Sequence, residues 1–200
     1  MESVLAPPSP VRIDPSWYVP TSDECVRWWE EFSMLDNIRS HSALVADVAV
    51  RVAEMAVRSG VDVDVPTIRA SALMHDIAKS YCIHHGGNHS QLGAAWTMRL
   101  TGNPAVAMGV LHHVFWPFDP DADKYFLPLV VSYADKRVMH DTLTTLDERF
   151  GDLKVRYGKT EKIIQRIHQT YEQALVLEER LGKLIGVDLN ACSFDSGRLV

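Results

Sequence analysis

The chain has 200 residues, of which 46% are hydrophobic and 23% charged, and a formal net charge of −6. That length suits one domain with decorated ends, and that composition supplies an ordinary globular core. The acidic balance speaks against general nucleic-acid binding, and no apolar run approaches the roughly 18 residues of a membrane span, so neither nucleic acid nor membrane is an expected partner.

From Met1 to about Pro20 the chain carries five prolines and little periodicity, which predicts an extended arm. The same stretch lacks the basic start and apolar core of a signal peptide. After Ser22 and Asp23 a first helix runs through Cys25, Trp28, Trp29 and Phe32. The segment Asn37–Ser59 places Leu44, Val45, Val48, Val52, Met55 and Ala56 on one helical stripe that stops at Gly60. Pro66 stands where a first helical position belongs, and a helix over Thr67–Ala78 follows it. Tyr81–Asn88 reads as a loop rich in Gly and His. Helices are then predicted over Ser90–Leu100 and Pro104–His113, a loop over Phe115–Asp123, and helices over Phe126–Met139 and Leu143–Tyr157.

A long amphipathic helix, Lys159–Ile185, puts Ile163, Ile167, Tyr171, Ala174, Leu181 and Ile185 on one side. Such a stripe needs a cover, either the chain's own core or a second copy in a homodimer. No strand pattern and no internal repeat is visible. The fold class is therefore all-α, a single-domain helical bundle over residues 23–187, with an arm over 1–22 and a tail over 188–200. Cys25, Cys82 and Cys192 are far apart and lack CxxC pairing, which predicts a reducing, cytoplasmic setting without a disulfide framework.

Against this scaffold one polar set stands out. His75 and Asp76 close the apolar segment Thr67–Met74. His41 precedes Leu44, Val45 and Val48 on the inward face of its helix. His89 and His113 lie downstream. Asp135, between Val131 and Val138, is placed close to a buried stripe. An unpaired buried carboxylate costs at least several kcal/mol, and the neighbouring Lys136 points about 100° away on a helix. A metal ion answers that need better. Any one of these residues alone is more often a satisfied core or capping residue; His84, His85 and His140 are read as loop or surface residues. Their joint occurrence favours a metal site.

The motifs HS at His41-Ser42, LMHDIAK at Leu73–Lys79, HSQLGA at His89–Ala94, VLHH at Val110–His113 and SYADK at Ser132–Lys136 resemble the HD-domain metal-dependent phosphohydrolases. The resemblance covers roughly Asn37 to Met139. It implies an all-helical HD-type bundle in which His41, His75, Asp76 and Asp135 hold one metal, while Asp76 bridges to a second held by His89 and His113. Spacing alone leaves His112 as an alternative to His113. Within the superfamily the pattern is most similar to the bacterial symmetrical dinucleoside-tetraphosphate hydrolases. The branch that cleaves guanosine tetraphosphate has acidic residues just after HD, where this chain has Ile77-Ala78-Lys79-Ser80. The cyclic dinucleotide branch has a Glu and a GYP motif, where this chain has Val114-Phe115-Trp116-Pro117. Both activities are disfavoured.

Mixed imidazole and carboxylate ligands without thiolate suit two divalent ions among Fe, Mn, Co, Ni and Zn. Such a pair activates water for attack on phosphorus, with Asp76 in the catalytic set. Lys79, four residues beyond His75, is expected on the same face to contact a substrate phosphate. Arg137 is a second phosphate candidate, and Trp116 a candidate for stacking on a base. The expected function is hydrolysis of a phosphoester or phosphoanhydride in a small, nucleotide-type substrate, with a dinucleoside polyphosphate as the leading example. The rivals are a non-catalytic nucleotide sensor using the same pocket and a di-iron HD-type oxygenase.

Overall fold

A computed structural model describes residues 7–11, 13–191 and Phe194. Expectations for residues 1–6, Arg12, and the tail positions 192, 193 and 195–200, Cys192 included, lie outside the described residues. Most helices begin at a short polar side chain that takes up the orphan amides of a first turn. Thr21 and Glu24 form a reciprocal capping box on α1 (Ser22–Glu31). The central helix α2 (Asp36–Arg58) follows, and then α3 (Val65–Met74), capped by Asp64 with Pro66 in its first turn. After α4 (Lys79–His85), Asn88 caps α5 (His89–Thr101), which ends at Gly102 with a φ of 62°. Asn103 caps α6 (Pro104–His112), and α7 (Phe126–Lys136) follows the Pro-rich loop. Thr145 and Glu148 make a second capping box on α8 (Leu146–Tyr157), and Thr160 caps the long α9 (Glu161–Ile185).

The all-α class holds, with two differences of detail. A two-residue-strand hairpin, β1 (Val138–Met139) with β2 (Thr142–Leu143), replaces the end of the helix read over Phe126–Met139 and the start of that read over Leu143–Tyr157. Its loop residue His140 sits at a φ of 60°, the conformation a tight hairpin turn needs and one normally signalled by Gly or Asn. The helix predicted over Thr67–Ala78 also stops at Met74. Bonds from the amides of Ile77 to Met74 O and of Lys79 to Asp76 O tighten the chain through His75–Ala78 before α4 begins at Lys79 and runs into the expected loop.

Around α2 the layers assemble by apolar complementarity. Val45, Val48, Ala49, Val52, Ala53 and Ala56 are all buried, and α2 packs against α3 and α7, while α6 packs against α3, α5 and α7. Two glycines set the crossings that matter for the site. A Cβ on Gly109 of α6 would lie 2.0 Å from Ser71 Oγ of α3, and one on Gly93 of α5 would lie 3.1 Å from Val110 of α6. The ends of α3, α5 and α6 are thereby drawn together. The C-terminal part of the α9 stripe is covered by its own chain: Ala174, Leu177, Leu181 and Ile185 are buried, and the helix packs on α7, α2 and α8, while Ile163 at its start is exposed. A smaller cluster of Leu146, Phe150 and Ala174 joins α8 to α9 as a hairpin. Among the described residues no helix is long and apolar enough to cross a membrane.

Candidate metal centre

Five separate segments bring their polar residues to one place. Asp76, in the tightened turn after α3, is fully buried at its centre. Its Oδ1 faces His89 Nε2 at 3.4 Å and His113 Nε2 at 3.5 Å, and its Oδ2 faces His75 Nε2 at 3.4 Å and Lys79 Nζ at 2.7 Å. On the far side, Asp135 Oδ1 lies 3.0 Å from His41 Nε2 and 3.8 Å from His75 Nε2. His89 and His113 approach each other at 3.1 Å between their Nε2 atoms. Two overlapping triads, His41/His75/Asp135 and His75/Asp76/His113, have ligand-capable atoms all within 4.8 Å of one another.

Backbone carbonyls settle the tautomers. His41 Nδ1 donates to His140 O at 2.9 Å, His75 Nδ1 to Ala72 O at 2.7 Å and His113 Nδ1 to Val110 O at 2.7 Å. A carbonyl can only accept, so each Nδ1 carries a proton, and in the neutral ring Nε2 is the inward-facing atom free to ligate a metal. His75 Nε2 and Asp76 Oδ1 are both sealed from solvent without a hydrogen-bond partner. Lone pairs facing carboxylates at this range repel unless a cation sits among them. The donor set of imidazole and carboxylate therefore fits a transition-metal ion.

The electrostatics agree with that demand. Burial opposes an ionised Asp76, yet His75, His113 and the Lys79 ammonium hold its carboxyl well below the ordinary carboxylate range. Burial likewise opposes an ionised Asp135, which His41, Lys136 and His75 hold well below that range. Burial pushes the His89 imidazole down to about 4 and lowers His113 as well, so both are neutral and competent as ligands at neutral pH. Burial works to lower His75 too, but Asp76 and Asp135 outweigh it and raise that ring.

The cluster opens into a cavity of about 500 Å³. Lys79 lines it, reaching Asp76 across the turn and not along a continued helix as its spacing suggests. His113 faces the cluster, while His112 packs its ring against Trp116 at 4.8 Å. Two expected substrate contacts are corrected. Trp116 is buried in the loop it closes, with its amide on Gln173 and its indole N–H on Asp119 O, and it does not line the cavity. Arg137 is buried as well, bonded to Thr144 O, Tyr133, Glu178 and Leu189 O, so it ties α7 to α9 and the tail instead of facing a ligand.

Residues that the spacing did not single out are also in place. Lys136 is buried and donates to His113 O at 2.8 Å, fixing the end of α6. His140, taken as a surface residue, supplies the carbonyl for His41 and meets Arg156 through its ring. Arg149 and Arg156 of α8 and Arg166 of α9 line the cavity. Arg149, Leu153 and Arg156 follow the spacing i, i+4, i+7 on one face, a signal open to reading once Leu153 is known to face inward.

Comparison with known proteins places these residues in context. The HD domain family matches residues 38–140, just over half of the chain. An uncharacterized protein of Methanocaldococcus jannaschii is 25% identical over 144 residues, covering 66% of this chain and 84% of that protein. No solved structure gives a significant match.

Proposed function

This chain belongs to the HD domain family, and from that premise we propose that it is a metal-dependent phosphohydrolase acting on a nucleotide-type substrate through a dinuclear centre. One observation carries the reading. Two bare, buried ligand atoms, His75 Nε2 and Asp76 Oδ1, lie in a cluster of four imidazoles and two carboxylates that opens on a cavity of about 500 Å³. Pockets of roughly 300–1,000 Å³ suit small-molecule ligands.

In this proposal His41, His75, Asp76 and Asp135 would hold one divalent ion, and Asp76, His89 and His113 would hold another. When bound, the ions supply Lewis acidity, which lowers the pKa of water and offsets charge on phosphoryl oxygens. Asp76 would help hold the ions, and its pairing with Lys79 at 2.7 Å keeps an ammonium in the cavity to receive a phosphate oxygen. The carbonyl anchors keep three imidazoles in the ligating tautomer throughout. The base lies against the rim, where Ile83, Val114, Tyr157 and Ile163 line the cavity while remaining partly solvent-exposed. Tyr157 thus takes the stacking role first assigned to Trp116. A dinucleoside polyphosphate heads the list of substrates on the strength of the sequence motifs.

Metal analysis of anaerobically purified protein, coupled to a phosphate-release screen over nucleotides, tests this reading. His75→Ala and Asp76→Ala are each expected to lose orders of magnitude in rate while helical circular dichroism is kept. Undiminished release in both variants would remove the mechanism. Tight nucleotide binding without cleavage would instead favour the sensor reading, and dioxygen-dependent turnover the oxygenase.

A further inference from the structure

Among the described residues, five cationic side chains line the cavity of a chain whose net charge is −6: Lys79, Lys136, Arg149, Arg156 and Arg166. Three are engaged within the protein. Lys79 is held by Asp76, Lys136 by His113 O, and Arg156 by Asp152 at 2.8 Å and His140 at 2.7 Å. Arg149 and Arg166 have no ion pair among the described residues, and the Nε of Arg149 is closed to solvent without a hydrogen-bond partner. Arg149 lines the same cavity as the metal cluster, and its charge bears on both the Lys79 and the Lys136 ammonium. Both arginines belong to the α8–α9 hairpin, beyond residue 140 where the family match ends.

A guanidinium that lines a cavity, with no ion pair among the described residues, suits an anionic ligand of matching planar geometry, and phosphate oxygens fit that fork. The metal centre and Lys79 already serve one phosphoryl group. We propose that Arg149 and Arg166 form a subsite for the phosphate adjoining the one at the metal centre, so that the α8–α9 hairpin selects substrates with more than one phosphate. This assignment rests on the phosphohydrolase reading for the order of the two phosphates. Arg156, held by Asp152 and His140, is a positioning residue that fixes α8 over the cluster.

Calorimetric titration of the manganese-loaded full chain with methylenediphosphonate, an uncleavable pyrophosphate, and with orthophosphate tests the subsite. The unmodified chain is expected to bind the diphosphonate at least about tenfold more tightly than orthophosphate, one charge-assisted contact being worth that factor. Arg149→Gln and the exposed Arg166→Gln are each expected to weaken diphosphonate about tenfold, to leave orthophosphate within about twofold, and to keep bound manganese and circular dichroism unchanged. Arg149→Lys, which keeps the charge but loses the fork, is expected to fall between. Equal affinity for the two anions in the unmodified chain, or unchanged diphosphonate binding in both Gln variants, would overturn the subsite. So would equal loss of both anions. Selective diphosphonate binding in a chain that cleaves no nucleotide would sink the hydrolase reading and leave the subsite standing. Turnover of polyphosphorylated nucleotides indifferent to both arginines would do the reverse.

Discussion

His75 shows how a single side chain acquires its role from what surrounds it. Its Nδ1–H is taken by Ala72 O, and its other nitrogen is left facing Asp76 and Asp135 in a solvent-free interior. The same logic extends one step outward to Lys136. Burial pushes this ammonium down to about 8, yet three oxygens, on His113 and Ser132, accept from it. Lys136→Met keeps the bulk and removes those bonds, releasing the carbonyl that ends α6 beside His113. Its manganese affinity, read by metal titration, is expected to fall about 10–100-fold, as for other groups that orient ligands. Unchanged affinity would make Lys136 a packing residue only. The clustering of these imidazoles and carboxylates was legible in the sequence because they interrupt apolar stripes. Their anchors were not, since Ala72, Val110 and His140 contribute main-chain oxygens that no side-chain pattern reveals.

At the scale of elements, the crossing of α3 with α6 governs how closely the His75-Asp76 turn meets His113. Gly109 allows that crossing because Ser71 Oγ occupies the space of its missing Cβ and donates to Val106 O. Gly109→Ala is expected to destabilise the protein by about 1–3 kcal/mol through overpacking. The double substitution with Ser71→Ala is expected to recover part of that loss in urea denaturation, the two residues being in contact. Additive losses would show that the glycine matters for some other reason. Helix order was readable from stripes, caps and Gly or Pro stops except at α4, which the sequence read as loop. The break after Met74 was not, because His75–Ala78 contains no Gly or Pro and stays close to helical, His75 itself having a φ of −55° and a ψ of −37°. The hairpin at Val138–Leu143 escaped notice because its turn uses His140 in place of glycine. Arg137 and Trp116 were misplaced for a related reason: sequence proximity to a ligand says nothing about which way a side chain leaves its backbone.

For the whole molecule, a metal ion held in the buried cluster would link its binding to folding. The unfolded chain offers the same ligands without their arrangement, so ions that prefer the folded form raise its stability by mass action. At a metal concentration about a hundredfold above the dissociation constant the gain is about 2.7 kcal/mol, which for a chain of this size moves Tm up by about 5–10 °C. Differential scanning calorimetry with manganese and then with a chelator measures it. A Tm indifferent to both would contradict the site as drawn. The charge of −6 is likewise unevenly spread, with cations gathered along one cavity, an arrangement that draws anions inward against the overall sign.

The three carbonyl anchors have an evolutionary corollary. Because the acceptors belong to the main chain, genetic drift can rewrite the letters at positions 72, 110 and 140 wherever the new residue keeps the trace. Ancestry could thus fade from the alphabet at those positions while the orientation of the imidazoles passed on intact.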